Sequence, residues 1–174
     1  MQDPCKPYRL MALNNAWANA TLLSAMAGLD DAAFAAKRPG FFPSLKATLN
    51  HVLQVDLYYV DALKEGGKGQ ALRALPDHAS VAALAAAQAD SDLALARFCQ
   101  GLTPEMLGES RITQRPDGAQ PEQVERLLLH LFQHQVHHRG QAHVQLQSAG
   151  IAPPQLDEFY LDYDRAPSAR AYFG

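Results

Sequence analysis

Apolar side chains return along this chain at the three- and four-residue spacing of an amphipathic helix, in four long stretches. The first runs from Pro7 to Gly28, with Leu10, Leu13, Trp17, Leu22, Leu23 and Met26 as its stripe and Gly28 as a C-terminal stop. Asn14, Asn15 and Asn19 lie beside that stripe, where exposure to solvent is the common outcome. The second begins at Ser44 and reaches about Glu65, with Leu45, Leu49, Val52, Leu53, Val55, Tyr59, Val60 and Leu63 on its apolar faces. The third, Val81 to about Gly101 behind a Ser80 cap, is rich in alanine, which forms helix readily and lets neighbours approach closely. Asp90 and Asp92 within it read as solvated. The fourth, Pro121 to Gln147, carries Val124, Leu127, Leu128, Leu131, Val136, Val144 and Leu146. Pro121 suits a first helical position, Glu122 and Glu125 suit the positive end of the dipole, and Gly150 before Pro153 and Pro154 marks the exit.

The intervening segments are short. Asp30 to Lys37 predicts a brief helix capped by Asp30 or Asp31, broken at Arg38-Pro39-Gly40 and followed by an apolar connector, Phe41-Phe42-Pro43. Gly66 to Gly69 is a flexible linker and lacks the rest of a phosphate-binding loop. Thr103-Pro104-Glu105 starts a turn that Gly108 ends, and Glu109 to Gln120 reads as an irregular or briefly extended loop around Pro116-Asp117-Gly118. The tail from Ala152 holds Phe159, Tyr160, Tyr163, Tyr172 and Phe173, and is expected to fold back over the helices or to meet a partner. Four long helices with short connections predict an all-α four-helix bundle with an irregular aromatic C-terminal tail, one domain over residues 1–174.

Composition narrows the possibilities. With 48% hydrophobic and 19% charged residues the chain is of ordinary globular type. Its net charge of -3 and scattered basic residues argue against a nucleic-acid surface. No stretch approaches the roughly 18 apolar residues of a membrane span, and the first ten residues hold no signal-peptide core, so a cytoplasmic protein with no membrane partner is expected. Cys5 and Cys99 form no C-x-x-C pair, and Cys99 reads as a small buried hydrophobe.

The chemistry concentrates in histidine. Five of the seven, His130, His134, His137, His138 and His143, fall in the fourth helix. Residues four apart share a helix face, so His130/His134 and His134/His138 are each plausible two-ligand clips, and His134/His137 a weaker one. One ion cannot take His130, His134 and His138 together, because the outer two stand about 12 Å apart along the axis while metal–nitrogen bonds are about 2 Å. A site here needs a ligand from another segment, and His51, alone in the second helix, is the candidate. A core imidazole satisfied by a backbone or asparagine partner is the competing reading.

Asn50-His51, followed by His134-Gln135-Val136-His137-His138-Arg139-Gly140-Gln141, resembles the DinB (damage-inducible) family and the related YfiT-like metal-dependent hydrolases. Asn15-Ala16-Trp17-Ala18-Asn19 and the proline-rich turn into Leu156-Asp157 are similar to that family too, and the likeness covers nearly the whole chain. It implies a divalent metal, zinc or nickel foremost, held by His51, His134 and His138, with His130, His137 and His143 as supporting or incidental residues. It also implies a metal-dependent enzyme, of thiol S-transferase or hydrolase type. Such an enzyme would act on a small-molecule substrate such as a low-molecular-weight thiol, and would be a homodimer. The alternative is a non-catalytic metal-binding stress-response protein. Arg139 could meet a substrate carboxylate, though a surface ion pair is its simpler role. Gly140 suggests a close helix crossing, and Asp56, Tyr58 and Tyr59 are weaker candidates for a pocket wall.

Overall fold

The computed structural model describes residues 3–173; Met1, Gln2 and Gly174, at the ends of the expected domain, lie outside them. The four long helices are α1 (Lys6–Ala25), α3 (Leu45–Leu63), α4 (Val81–Gln100) and α6 (Val124–Ser148), with short α2 (Asp31–Ala35) and α5 (Pro104–Gly108) between them. The starts follow local chemistry. Asp30, Ser44, Ser80 and Thr103 each accept a backbone N–H of the first turn of α2, α3, α4 and α5.

Around the bundle α1 packs on α4, α4 on α3, α3 on α6, and α6 on α1. One end of the core gathers Tyr8, Leu63, Cys99 and Leu128; the other gathers Met26, Leu45, Leu84 and Leu146. The early residues of α1 and α6 and the late residues of α3 and α4 therefore share an end, an up-down-down-up order. Because α3 and α4 run parallel, the chain must return the length of the bundle between them. The expectation of short connections fails for this reason: Lys64 to Ser80 is a crossover containing a 3₁₀ turn, Gly69–Ala74. It marches back along α3, with Leu75 O accepting from Gln54 Nε2 at 2.8 Å and His78 N donating to Asn50 Oδ1 at 2.7 Å.

Residues 110–123 keep the extended backbone and the turn at Pro116-Asp117 that the sequence offered, but they pair regularly and they delay the fourth helix. They form an antiparallel hairpin, β1 (Ser110–Arg115) and β2 (Gly118–Gln123), in register from Ser110↔Gln123 to Arg115↔Gly118. Pro121 pairs with Ile112 in this small sheet, so α6 starts at Val124 and not at Pro121. The alternation in β1 is inverted: Arg111 and Thr113 face inward while Ile112 is 55% exposed. Arg111 Nε donates to Leu63 O at 3.0 Å, satisfying a carbonyl at the end of α3.

The tail does fold back. Phe159 is fully buried against Trp17, ring centroids 5.5 Å apart, and Trp17 Nε1 donates to Ser168 Oγ at 3.0 Å. Cys5 and Cys99 are buried and unpaired. Among the described residues no helix is long and apolar enough to cross a membrane.

A polar layer separates the two apolar ends of the core, and here several expectations need correcting. Asp92 is not solvated, Asn15 and Asn19 are not exposed, and Arg139 is not on the surface; all four are at most 5% exposed. Arg139 Nη1 donates to Asn15, Asn19 and Gln135, and the Gln135 amide in turn donates to Asp56. Gln88 Nε2 bridges Asp56 and Asp92, and the Asn15 and Asn19 amides also donate to Asp92. Each of the four helices thus places polar groups at mid-height, where they hydrogen-bond to one another, with Asp56 Oδ1 buried and left without a partner. Burial pushes the Asp56 carboxyl well above the usual carboxylate range, with the Asp92 charge acting in the same direction. Burial likewise lifts Asp92 to about 7, against the hydrogen bonds it accepts, and lowers Arg139 to about 10.

Candidate metal centre

The groove between α3 and α6 holds the histidines at this same mid-height. His134 and His138 lie one turn apart on α6, and His51 faces them from α3. Their ring centroids are 4.3 Å (His134–His138), 4.7 Å (His51–His138) and 5.1 Å (His51–His134) apart. One ring nitrogen from each falls within 4.8 Å of the other two, and among the described residues no carboxylate, cysteine or further histidine joins this group. Nε2 of His51 stands 3.1 Å from Nε2 of His134. Two imidazoles on a tetrahedral ion at about 2.0–2.1 Å would hold their nitrogens about 3.3–3.4 Å apart, so the separation suits a shared ion.

The electrostatics suit one as well. A metal-binding imidazole must be neutral. Burial first, then the neighbouring charges of His138 and Arg73, push His51 down to about 4. Burial and the surrounding histidines push His134 to about 3, and burial lowers His138. His134 Nδ1 is buried without a hydrogen-bond partner. The donor set, three neutral nitrogens without an acid, fits a borderline divalent ion such as zinc, nickel, copper or iron.

The other histidines stand aside. His130 is exposed, its ring 6.1 Å from His134 and 5.0 Å from Tyr59. His137 is exposed and accepts from Gln141 Nε2 at 3.0 Å. His143 Nε2 donates to Pro154 O at 2.9 Å, tying the tail to α6. Of the weaker candidates, Tyr58 and Tyr59 are buried neighbours of the groove, whereas Asp56 belongs to the polar layer.

Other neighbours of the histidines carry no motif. Phe42, in the connector before α3, lies 4.6 Å from His51 and 5.6 Å from His138, walling one side. Its backbone is anchored by Gln145 Nε2, which donates to Phe42 O at 2.8 Å, while Thr48 Oγ1 donates to Gln145 Oε1. Gly40 lets the connector pass: its φ is +152° and a Cβ there would meet Gln145 Nε2 at 2.9 Å. Asn50, beside His51, clamps the crossover through His78. Gln141 could have been found from sequence, since it sits three residues beyond His138. Gly140 is not at a close crossing, because a Cβ there would meet nothing within 4 Å.

The DinB family model matches residues 1–168 of the chain. Among solved structures, a DinB-like protein from Bacillus cereus ATCC 10987 superposes with a TM-score of 0.64 at 20% identity, covering 81% of this chain and 89% of that one. This likeness shows the shared fold. No curated protein matches the chain.

Proposed function

The chain belongs to the DinB family, and from that premise we propose that it is a metal-dependent enzyme whose divalent ion, zinc or nickel, is held by His51, His134 and His138. The observation that carries the reading is the convergence of three neutral imidazoles with no fourth protein ligand beside them among the described residues. A structural site would close its coordination shell with protein groups; a catalytic one leaves a position open. An ion there supplies a Lewis acid that lowers the pKa of water or of a thiol next to it. The reaction is thiol transfer to, or hydrolysis of, a small molecule.

The protein's own residues do the positioning. His138 is oriented by Gln141, and Phe42 packs its ring beside those of His51 and His138. Tyr59 and His130 line the far side. The exposed apolar residues Leu129, Val136 and Val144 on α6 give a homodimer a face to cover.

The test is elemental analysis of untagged protein, followed by assays of the loaded and chelated forms against a thiol–electrophile pair and an activated ester. Wild type should carry about one ion per chain. His51→Ala, His134→Ala and His138→Ala should each lose it, and His130→Ala should keep it. Unchanged metal content in the first three variants sinks the site. A fully loaded protein that turns over neither substrate class favours the non-catalytic alternative.

A further inference from the structure

We infer that the substrate of the histidine groove carries a carboxylate, and that Arg73 on the crossover binds it. The inference rests on the metal-dependent reading above and names the substrate class of that site.

The crossover descends beside α3 in step with it: Arg73 lies at Tyr58, Leu75 at Gln54 and His78 at Asn50. Gln54 is one turn from His51 and Tyr58 two turns, so these contacts climb one face of α3 away from the metal ligands. The guanidinium of Arg73 sits 5.7 Å from the Tyr58 ring centroid, on the side of α3 that carries His51 two turns further down.

Arg73 is exposed and uncommitted. Arg9, Arg111, Arg115 and Arg165 each have a carboxylate within 4.0 Å; among the described residues Arg73 has none, and its N–H groups donate to no protein acceptor. The acids on this side have other partners. Asp77 accepts from Gln54 Nε2 at 3.3 Å, and Glu122 pairs with Arg115 at 3.3 Å. Arg115 reinforces the positive rim, lying 5.6 Å from the Tyr59 ring and 6.0 Å from the Tyr58 ring.

The Arg73 guanidinium carbon lies over the Tyr58 ring, and its N–H groups, which donate to no protein acceptor among the described residues, remain for a planar, singly charged acceptor. A carboxylate fits that fork with two parallel hydrogen bonds. Seven residues of helix separate Tyr58 from His51, about 10 Å. The reacting atom and the carboxylate of the substrate are therefore separated by a chain of several bonds.

The probe is a matched pair of thiols, 6-mercaptohexanoate and 6-mercapto-1-hexanol, titrated into the full chain loaded with cobalt(II). The thiolate-to-cobalt charge-transfer band reports binding without any turnover. Wild type should prefer the carboxylate by about tenfold, the size of one charge-assisted contact at a partly exposed site. Arg73→Gln should retain cobalt and lose that preference, through weaker carboxylate binding alone, whereas Arg97→Gln, the same charge loss on α4, should keep it. Equal binding of the two thiols by wild type, or an equal loss of both in Arg73→Gln, overturns the inference and leaves the metal site standing. Failure of wild type to bind cobalt overturns the metal reading and this inference with it.

Discussion

Nδ1 of His138 donates to Oε1 of Gln141 across one turn of α6, at 2.8 Å. A carbonyl oxygen only accepts, so the proton is held on Nδ1 and the lone pair of Nε2 is left free for an ion. The same amide donates onward to His137 Nε2 at 3.0 Å, which fixes which way the carboxamide points. Gln141→Leu removes both contacts while keeping the ligands. Metal affinity should fall about 10- to 100-fold, with unchanged stoichiometry at saturating metal. Competition with a chelator of known affinity measures this; an unchanged constant would show that Gln141 does not orient the ligand.

Acidification should separate this site from an ordinary cluster of histidines. His51 and His134 have folded pKa values of about 4 and about 3, below the usual 6.5. Their neutral forms contribute stability above about pH 6.5 that is lost as pH falls toward 4 and then 3. For the same reason protons compete poorly for the ligands at mildly acid pH. Metal affinity should change little between pH 7 and about 5 and drop steeply nearer 4. Cobalt titrations across that range decide it, and a steep loss already between pH 7 and 6 contradicts the shifts.

Periodicity revealed the four helices because apolar residues recur along each at helical spacing, even though Val136 and Val144 of the expected α6 stripe are exposed, and the caps Asp30, Ser44 and Ser80 were visible as residue types. The hairpin was not, since the residues it buries are Arg111 and Thr113 and the one it exposes is Ile112. Its inward face makes sense only once the end of α3 is there to accept from Arg111. The parallel run of α3 and α4 was equally hidden, because periodicity says nothing of direction. In the groove, spacing alone could pair histidines on α6 but could not choose between His130/His134 and His134/His138. In the folded chain His51 lies close to His134 and His138, which is what makes the second pair the candidate. Asp92 and Arg139 read as surface residues since a charge is normally solvated; they are buried because seven side chains from four helices complete one another, a condition no local pattern records.

Two glycines should answer opposite ways to alanine. At Gly40 the backbone is in a conformation L-residues rarely adopt, and the new methyl group would press on Gln145 at 2.9 Å. Gly40→Ala should displace the connector, loosen Phe42 from the histidines and destabilise the fold by about 1–3 kcal/mol. Gly140 lies within α6, where an added Cβ meets open space. Gly140→Ala should stabilise by up to about 1 kcal/mol. Urea denaturation of both variants checks the pair; a stabilised Gly40→Ala would mean that the connector is not held as described.

Arg139 should be the costliest single residue in the polar layer, and its cost should depend on pH. Arg139→Met leaves the oxygens of Asn15, Asn19 and Gln135 without their donor and removes the cation that the Asp56 and Asp92 charges favour. Breaking a buried charged network in this way destabilises by about 3–5 kcal/mol. The sign of the pH effect follows from Asp92, whose folded pKa of about 7 lies above its unfolded value. A raised carboxyl contributes stability below about pH 3.9 that is lost as pH climbs through the folded pKa. The Arg139 charge lowers that pKa, so without it Asp92 rises further and the loss at high pH deepens. The penalty of Arg139→Met, measured by urea denaturation, should therefore be smaller at pH 4 than at pH 8. A penalty that is equal at both, or larger in acid, would mean that Asp92 is not coupled to Arg139 across the bundle.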